Sequence, residues 1–555
     1  MPSHSKALEG PATTTSQTNG RPEPRATGWH GILATIDRHW VAIVVVLYVV
    51  VHAALAMAYS PWRDVAQAWL IARDLKYTQI FMRLHFEGHP ALWFLLLSIP
   101  AKLGLPFQTI FVISVGLMAT SLALFLRYAP FPRWCKLVLG SGIAFVYVLP
   151  VIARSYALFP LLTILAAMAW PTRHEHPLRL AAPLFLLLQT HVLCMGFVGG
   201  VALVWLSEAV RTSVRESRVR VRELVALALI LISLVMVYVE LRTPSDAPQD
   251  VVKVAPFETL GSILEQGGLP NLGASILQSL ETLQNSAVGE GLWSDSTYAI
   301  AAVVLLLLLV HVFARSPKAG FILVMALLWV LAVDILIYSI SYFRQKVLAI
   351  SAFVIFVCWV LYAEGTERKL RVPHVPEVLQ RLANHGLLAY LMALAVISWL
   401  SYPRLLGTLD SYPTKQVASY VTTELPEDAV VILDNEVYQV AGTAYLPIGR
   451  FYNPLRGSYN TFSAWDATTY ESFSASGDLL GAVAEVRETS ASGDATPCYY
   501  LMGLPPSEDS SEYDEYLFLD ASVRELEERS GVTLTEVARW QTGSDEDCVL
   551  YRIDV

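Results

Sequence analysis

Asp64, Glu87 and His89 fall within one short stretch that follows the first strongly apolar run of the chain, residues 40–58. That stretch, YSPWRDVAQAWLIARDLKYTQIFMRLHFEGHPALW at 59–93, also holds Asp74 and is flanked by hydrophobic segments. Ionisable groups held at a membrane surface are functional candidates. A carboxylate at a membrane edge suits removal of a proton from a hydroxyl, because partial desolvation raises its basicity. Guanidinium and ammonium groups suit a leaving group that departs as a phosphate, and arginine can grip it with two hydrogen bonds. Arg154, Arg344 and Lys346 are the cations available. Together these side chains fit a transfer in which a hydroxyl loses its proton, an anion leaves, and water is kept out. In that scheme Asp64 is the general base. Glu87 and His89 orient the acceptor or complete the acid/base site. Arg344, Lys346 and Arg154 hold the phosphate, and Tyr156, Trp62, His191 and Gln345 contact substrate.

Each residue also has a plainer reading. Asp64 stands just before the run VAQAWLIARDL, where an aspartate would cap a helix. Arg73 and Asp74 read as solvated charges on that helix. Glu87 and His89 fit a polar turn before Pro90, and Arg154 can snorkel or pair with a carboxylate. Arg344 and Lys346 can anchor a helix at the interface. His191 can be a hydrogen-bonded packing residue. Asp334, well inside an apolar run, has no assignment.

The elements that must position these groups are membrane helices. Of 555 residues, 54% are hydrophobic and 16% charged, with mean hydropathy +0.48; soluble domains carry about 25% charged residues. No basic stripe with interleaved aromatics occurs, which argues against nucleic acid as a partner. Residues 1–39, rich in Ser, Thr, Pro, Gly and Arg, read as a disordered cytoplasmic tail. The segment ALWFLLLSIPAKLGL after His89 is too short for a span, which takes about 20 apolar residues. It is expected to dip into the interface. Spans are expected at 40–58 and near 107–126, 137–153, 156–170, 179–193, 195–209, 223–241, 297–314, 319–339, 347–363 and 384–402. Cytoplasmic loops should carry the excess of Lys and Arg. With 90–105 not crossing, every strongly basic short loop falls on one side: Arg127, Arg133 and Lys136; Arg173 and Arg179; Arg211 to Arg222; Arg315 and Lys318; Arg368 to Arg381. The rule selects 11 spans, the N-terminus inside and the C-terminus outside. The loop 59–105, the turn at Arg154, the surface-helix pattern of 242–296 and the turn SISYFRQK then all lie outside.

Residues 403–555 differ in kind. The net charge of −9 comes largely from acids concentrated here. VVILD and CYYLM read as buried strands, with helices near 414–424 and 519–530. TLTEVARWQ and CVLYRID read as a strand pair joined by TGSDED. The expectation is a small extracytoplasmic α/β domain after a transmembrane domain at 40–402. Cys498 and Cys548 open two strands in an oxidising compartment, so a disulfide between them is one possibility. Cys135, Cys194 and Cys358 read as small apolar fillers.

The order of apolar helix, outer loop with an early aspartate, a second acid, His-Pro and another apolar helix resembles the GT-C superfamily. These are integral membrane glycosyltransferases, including the bacterial aminoarabinose transferase and the protein O-mannosyltransferases. Asp64 matches the family's early loop carboxylate. His89, Pro90, Ala91 and Leu92 match its His-Pro-Pro-Leu segment, with Ala91 in place of the second proline. IARSYALF at 152–159 is similar to the second outer loop. Several members place an aspartate after that turn, where this chain has Leu158, Phe159 and Pro160, so a metal site built on it does not carry over. A divalent metal is left open, and no other cofactor is implied. YFRQK resembles the late outer turn that meets donor phosphate, with Gln345 where a histidine often follows the arginine. The resemblance implies a lipid-linked sugar donor carried on polyprenyl phosphate, inverting transfer at the outer face, and a polysaccharide, lipid or protein acceptor. The alternatives are a transporter or flippase of a lipid-linked saccharide, and a non-catalytic cell-envelope assembly protein.

Overall fold

The computed structural model describes residues 29–142, 144–146, 148–242, 309–310, 312–336, 343–363, 386–436, 442–459, 461–465, 468–469, 471–504, 512–544 and 546–555. Among the described residues the first part holds these α-helices: α1 (Trp29–Ala58), α2 (Arg63–Asp74), α3 (Tyr77–Glu87), α4 (Leu92–Lys102), α5 (Thr109–Tyr128), α6 (Arg133–Gly140), α7 (Val148–Ile152), α8 (Leu158–Ala169), α9 (Pro177–Leu188), α10 (Met195–Glu216), α11 (Val221–Leu241), α12 (Pro317–Leu336), α13 (Phe343–Ala363) and α14 (Gly386–Gly407). Among the described residues five helical stretches are long and apolar enough to cross a membrane: Arg38–Ala58, Thr109–Tyr128, Ser155–Thr172, Val192–Glu216 and Val221–Leu241. The expected spans near 297–314 and 319–339, the loop 242–296, Asp334 and the basic loop 368–381 fall wholly or partly outside the described residues.

Helix α4 has 11 residues, about 16 Å of helix against a hydrocarbon core of about 30 Å. It packs beside α2, with Trp93, Phe94 and Leu97 buried. The continuous helix expected over 137–153 is replaced by two pieces, α6 and α7. Close packing explains the break: a Cβ on Gly142 would lie 2.8 Å from the Ala395 Cβ of α14. There Trp399 and Tyr402 donate to the Ser141 carbonyl instead of a helix amide. A second close approach holds α10 to α12, where a Cβ on Gly196 would sit 2.0 Å from the Trp329 Cβ and 2.6 Å from the Met325 carbonyl oxygen. Small residues at such spacing let membrane helices pack backbone to backbone.

The helices alternate between two ends. At one, Arg173 forks onto Glu208 at 2.8 and 3.0 Å, Lys318 joins the same carboxylate, His174 meets Glu223 at 2.9 Å, and Arg220 meets Glu223 at 3.0 Å. The loops carrying Arg173, Arg220 and Lys318 therefore converge. At the other end lie Tyr59, the turn at Arg154 and His191, beneath the C-terminal part of the chain.

That C-terminal part is a six-stranded mixed sheet of order β3-β2-β1-β4-β6-β5, built from β1 (Val430–Leu433), β2 (Phe451–Asn453), β3 (Ser458–Tyr459), β4 (Cys498–Gly503), β5 (Thr533–Trp540) and β6 (Cys548–Asp554). β2, β1 and β4 are parallel, and β3, β6 and β5 join antiparallel. Helix α15 (Thr414–Thr423) covers one face through Val417 and Val421. Helices α16 (Leu479–Thr489) and α17 (Glu512–Ser530) cover the other through Val483, Val486 and Leu526. The expected Cys498–Cys548 disulfide is absent, and both thiols are free and buried. Cys548 lies opposite Gly503, at the far end of β4 from Cys498. Two residues that each open a strand of an antiparallel pair lie at opposite ends of it, about 17 Å apart at 3.4 Å per residue, far beyond disulfide reach.

Candidate active site

Trp62 is the residue before α2, in extended conformation, and Arg63 and Asp64 form the first turn. Asp64 is therefore not the cap of this helix, as one sequence reading had it; it lies inside the first turn, where the helix dipole favours a negative charge. The Arg63 amide donates to Glu546 of the C-terminal domain at 2.7 Å. Arg73 and Asp74, at the far end of α2, pair with each other at 2.7 Å.

The Asp64 carboxylate keeps 30% of its side-chain surface open and lies 2.6 Å from Nη1 of Arg154, which is 11% exposed. Burial pushes the Asp64 carboxyl up, but the charge and hydrogen bond of Arg154, with Arg63 and His89 behind them, outweigh it and hold the group below the usual carboxylate range. Arg154 follows Ala153, whose φ of +53° lies in the left-handed region. A non-glycine residue there costs on the order of 1–3 kcal/mol and is retained where its surroundings over-determine it. The strained turn ends α7 and aims the Arg154 guanidinium back over α2. It passes 5.8 Å from the Trp62 ring and 5.9 Å from the Tyr156 ring.

His89 follows Gly88, the left-handed cap of α3 with φ of +65°. Its Nδ1 lies 2.8 Å from the Glu87 carbonyl oxygen, an atom that can only accept, so Nδ1 carries the proton. Nε2 is then a bare lone pair, reached at 3.2 Å by both Arg154 Nη2 and the Tyr156 hydroxyl. Burial first and the Arg154 charge second pull the His89 pKa down to about 4, so the imidazole is neutral at pH 7. His191 packs edge-on against His89 at 5.0 Å and lies 5.4 Å from the Tyr156 ring. Its Nδ1 accepts from the Leu193 amide at 3.1 Å, which fixes the opposite tautomer. Burial, with His89 and Arg154 nearby, also holds it neutral.

The Glu87 carboxylate does not join Asp64. It faces Gln67 Nε2 at 3.0 Å and Arg83 Nε at 3.2 Å. Burial raises its pKa, with Arg83 and Gln67 opposing and Asp64 adding to the rise. The structure thus gathers Trp62, Asp64, Glu87, His89, Arg154, Tyr156 and His191 at one end of the helices. Arg344, Gln345 and Lys346 open α13, and their side chains lie outside the described residues. Sequence reading missed Gln67, Arg83 and Ser155. The Trp62 indole nitrogen and the Ser155 hydroxyl are buried and meet no hydrogen-bond partner among the described residues. Among those residues no three or more His, Cys, Asp or Glu side chains are grouped to hold a metal ion.

No protein-family model matches the chain, and no curated protein does. Among solved structures it is similar to ArnT from Cupriavidus metallidurans in the apo state, with 13% identity, TM-score 0.42, and coverage of 92% of this chain and 97% of that one. ArnT bound to undecaprenyl phosphate gives 13% identity and TM-score 0.41 with the same coverage. The arabinofuranosyltransferase AftD from Mycobacteria gives 12% identity and TM-score 0.36, over 93% of this chain and 40% of that one.

Proposed function

We propose that this chain is an inverting glycosyltransferase. It moves a sugar from a polyprenyl-phosphate donor to an acceptor hydroxyl at the outer face of a membrane. The observation that carries the reading is the junction at Arg154: one guanidinium bonded to a carboxylate at 2.6 Å and to a neutral imidazole at 3.2 Å. Near it the Trp62 indole nitrogen and the Ser155 hydroxyl are buried and meet no hydrogen-bond partner among the described residues. In the resting site Arg154 neutralises Asp64. A donor phosphate competes for the same guanidinium, to which it offers a bidentate, charge-assisted contact. When Arg154 turns to the phosphate, Asp64 loses its counter-ion in a partly desolvated site and becomes more basic. The acceptor hydroxyl then gives its proton to Asp64, and its oxygen attacks the anomeric carbon from the face opposite the phosphate. The bond from that carbon to the phosphate oxygen breaks, and polyprenyl phosphate leaves with the electron pair against Arg154. His89, kept neutral, holds Arg154 by accepting from it. Glu87, held by Gln67 and Arg83, positions neighbouring groups.

The topology proposed is 11 spans, with the tail 1–39 cytoplasmic and residues 403–555 outside. The loops of Arg173, Arg220 and Lys318, gathered at the end opposite Asp64, support that orientation under the positive-inside rule. Arg344 and Lys346 are proposed as further phosphate ligands, and Tyr156, His191 and Gln345 as sugar or phosphate contacts. The test uses full-length protein in proteoliposomes with undecaprenyl-phosphoryl sugars and a membrane-lipid extract as acceptor source, reading free undecaprenyl phosphate. Asp64→Asn should lower its release about 10²–10⁴-fold while leaving the protein folded. An active Asp64→Asn protein, or lipid movement across the vesicle with no release, would contradict the assignment.

A further inference from the structure

We infer that Gln67 is a positioning residue that locks segment 461–465 of the C-terminal domain onto the helix bearing Asp64, so that the domain is a working part of the site. Gln67 lies one turn after Asp64 on α2 and is 4% exposed among apolar neighbours. Its side-chain amide is fully used. Oε1 accepts from the Ser463 backbone amide at 2.8 Å, and Nε2 donates to the Ser463 carbonyl at 2.9 Å. Nε2 also donates to the Glu87 carboxylate at 3.0 Å. Arg83 reaches the same two acceptors, the Ser463 carbonyl at 2.6 Å and Glu87 at 3.2 Å. A side-chain amide pairing with both backbone groups of one residue acts as one rung of a β-ladder, its N–H and C=O serving the two groups together.

From its own side the segment is held as firmly. The Ala464 amide donates to Glu436, a residue 2% exposed that also takes Arg456 and Asn453. Trp465, two residues past the clasp, stands at φ +54°, a conformation that bulky residues keep only where the surroundings impose it. A continuous hydrogen-bonded path therefore runs from Glu87 through Gln67 and Ser463–Ala464 to Glu436, three residues past the end of β1. An undocked domain would leave the Ser463 amide and carbonyl and the Gln67 Oε1 without these partners, and Gln67 and Arg83 free to shift away from Glu87.

This inference rests on the proposed transfer reaction for its consequence, not for its geometry. The test compares full-length wild type, Gln67→Met, Gln67→Glu and Ser463→Ala in lipid nanodiscs by hydrogen–deuterium exchange and by release of undecaprenyl phosphate. Gln67→Met should speed exchange of 461–465 about 10-fold or more and leave β1 and β4 unchanged. Its turnover should fall about 10-fold or more, and the part of the pH profile that reports Glu87 should move upward. The charged groups that then act on Glu87 are Arg83 and Asp64, and the Gln67 N–H that favoured its charged form is gone. Gln67→Glu, which keeps the shape and the acceptor for Ser463 N–H, should show a smaller exchange effect and the same direction in pH. Ser463→Ala should match wild type, because the clasp uses only main-chain atoms of that residue. Unchanged exchange at 461–465 in both Gln67 variants overturns the inference, as does an unmoved pH profile. A wild-type protein that releases no undecaprenyl phosphate sinks the transfer reading, and the exchange data still decide the clasp.

Discussion

Arg154 is shared between Asp64 and the lone pair of His89, and the histidine accepts from it only while uncharged. Its folded-state pKa of about 4 lies below the ordinary 6.5. Protonation therefore favours the unfolded chain: the stability tied to His89 is present above pH 6.5 and lost as pH falls from there toward 4. At 1.36 kcal/mol per unit the loss by pH 5 is about 2 kcal/mol. Unfolding midpoints of the wild type should drop between pH 7 and 5, and His89→Gln should drop less; equal drops would contradict the neutral assignment. Asp64 and His89 were legible in the sequence because an acid and an imidazole beside apolar runs are conspicuous by type. Gln67 was not, because a lone amide in a helix reads as a helix-face residue until its main-chain partner, 396 positions away, is known. The pairing of Glu87 with Gln67 and Arg83 was hidden for the same reason: side-chain type announces a capacity, and only tertiary contact decides which neighbour uses it.

The elements were legible in proportion to their length and apolarity. Long helices such as α5, α10 and α11 announce themselves by the high mean hydropathy of their sequences over a span's length. The break between α6 and α7 was not visible, because it is imposed by α14 crossing at Gly142. β2 and β3 span three and two residues, too few for any periodicity. The Cys498–Cys548 pairing failed on register, which spacing along the chain does not give. The backbone contact of α10 with α12 makes a sharp prediction. Gly196→Ala brings a methyl within 2.0 Å of the Trp329 Cβ and 2.6 Å of a carbonyl, and neither can move without shifting a helix. Overpacking of this kind costs about 1–3 kcal/mol or more. The variant should lose thermal stability by several degrees, whereas alanine at Gly199, with open space around its Cβ, should leave the melting temperature within error.

At the scale of the molecule, charge is sorted by end. An acid–base network of Arg173, Glu208, Glu223, Arg220 and Lys318 ties helix termini together at one end, and the Asp64–Arg154–His89 junction sits beneath the α/β domain at the other. In the proposed reaction Arg154 is held by Asp64 at rest and given up to a phosphate. Binding of undecaprenyl phosphate to full-length wild type, Asp64→Asn and Arg154→Met in nanodiscs tests it most directly. Removing the competing carboxylate should leave affinity equal or tighter in Asp64→Asn, while Arg154→Met should weaken it about 10-fold or more. Weaker binding in Asp64→Asn, or unchanged binding in Arg154→Met, would rule out this exchange of partners at Arg154.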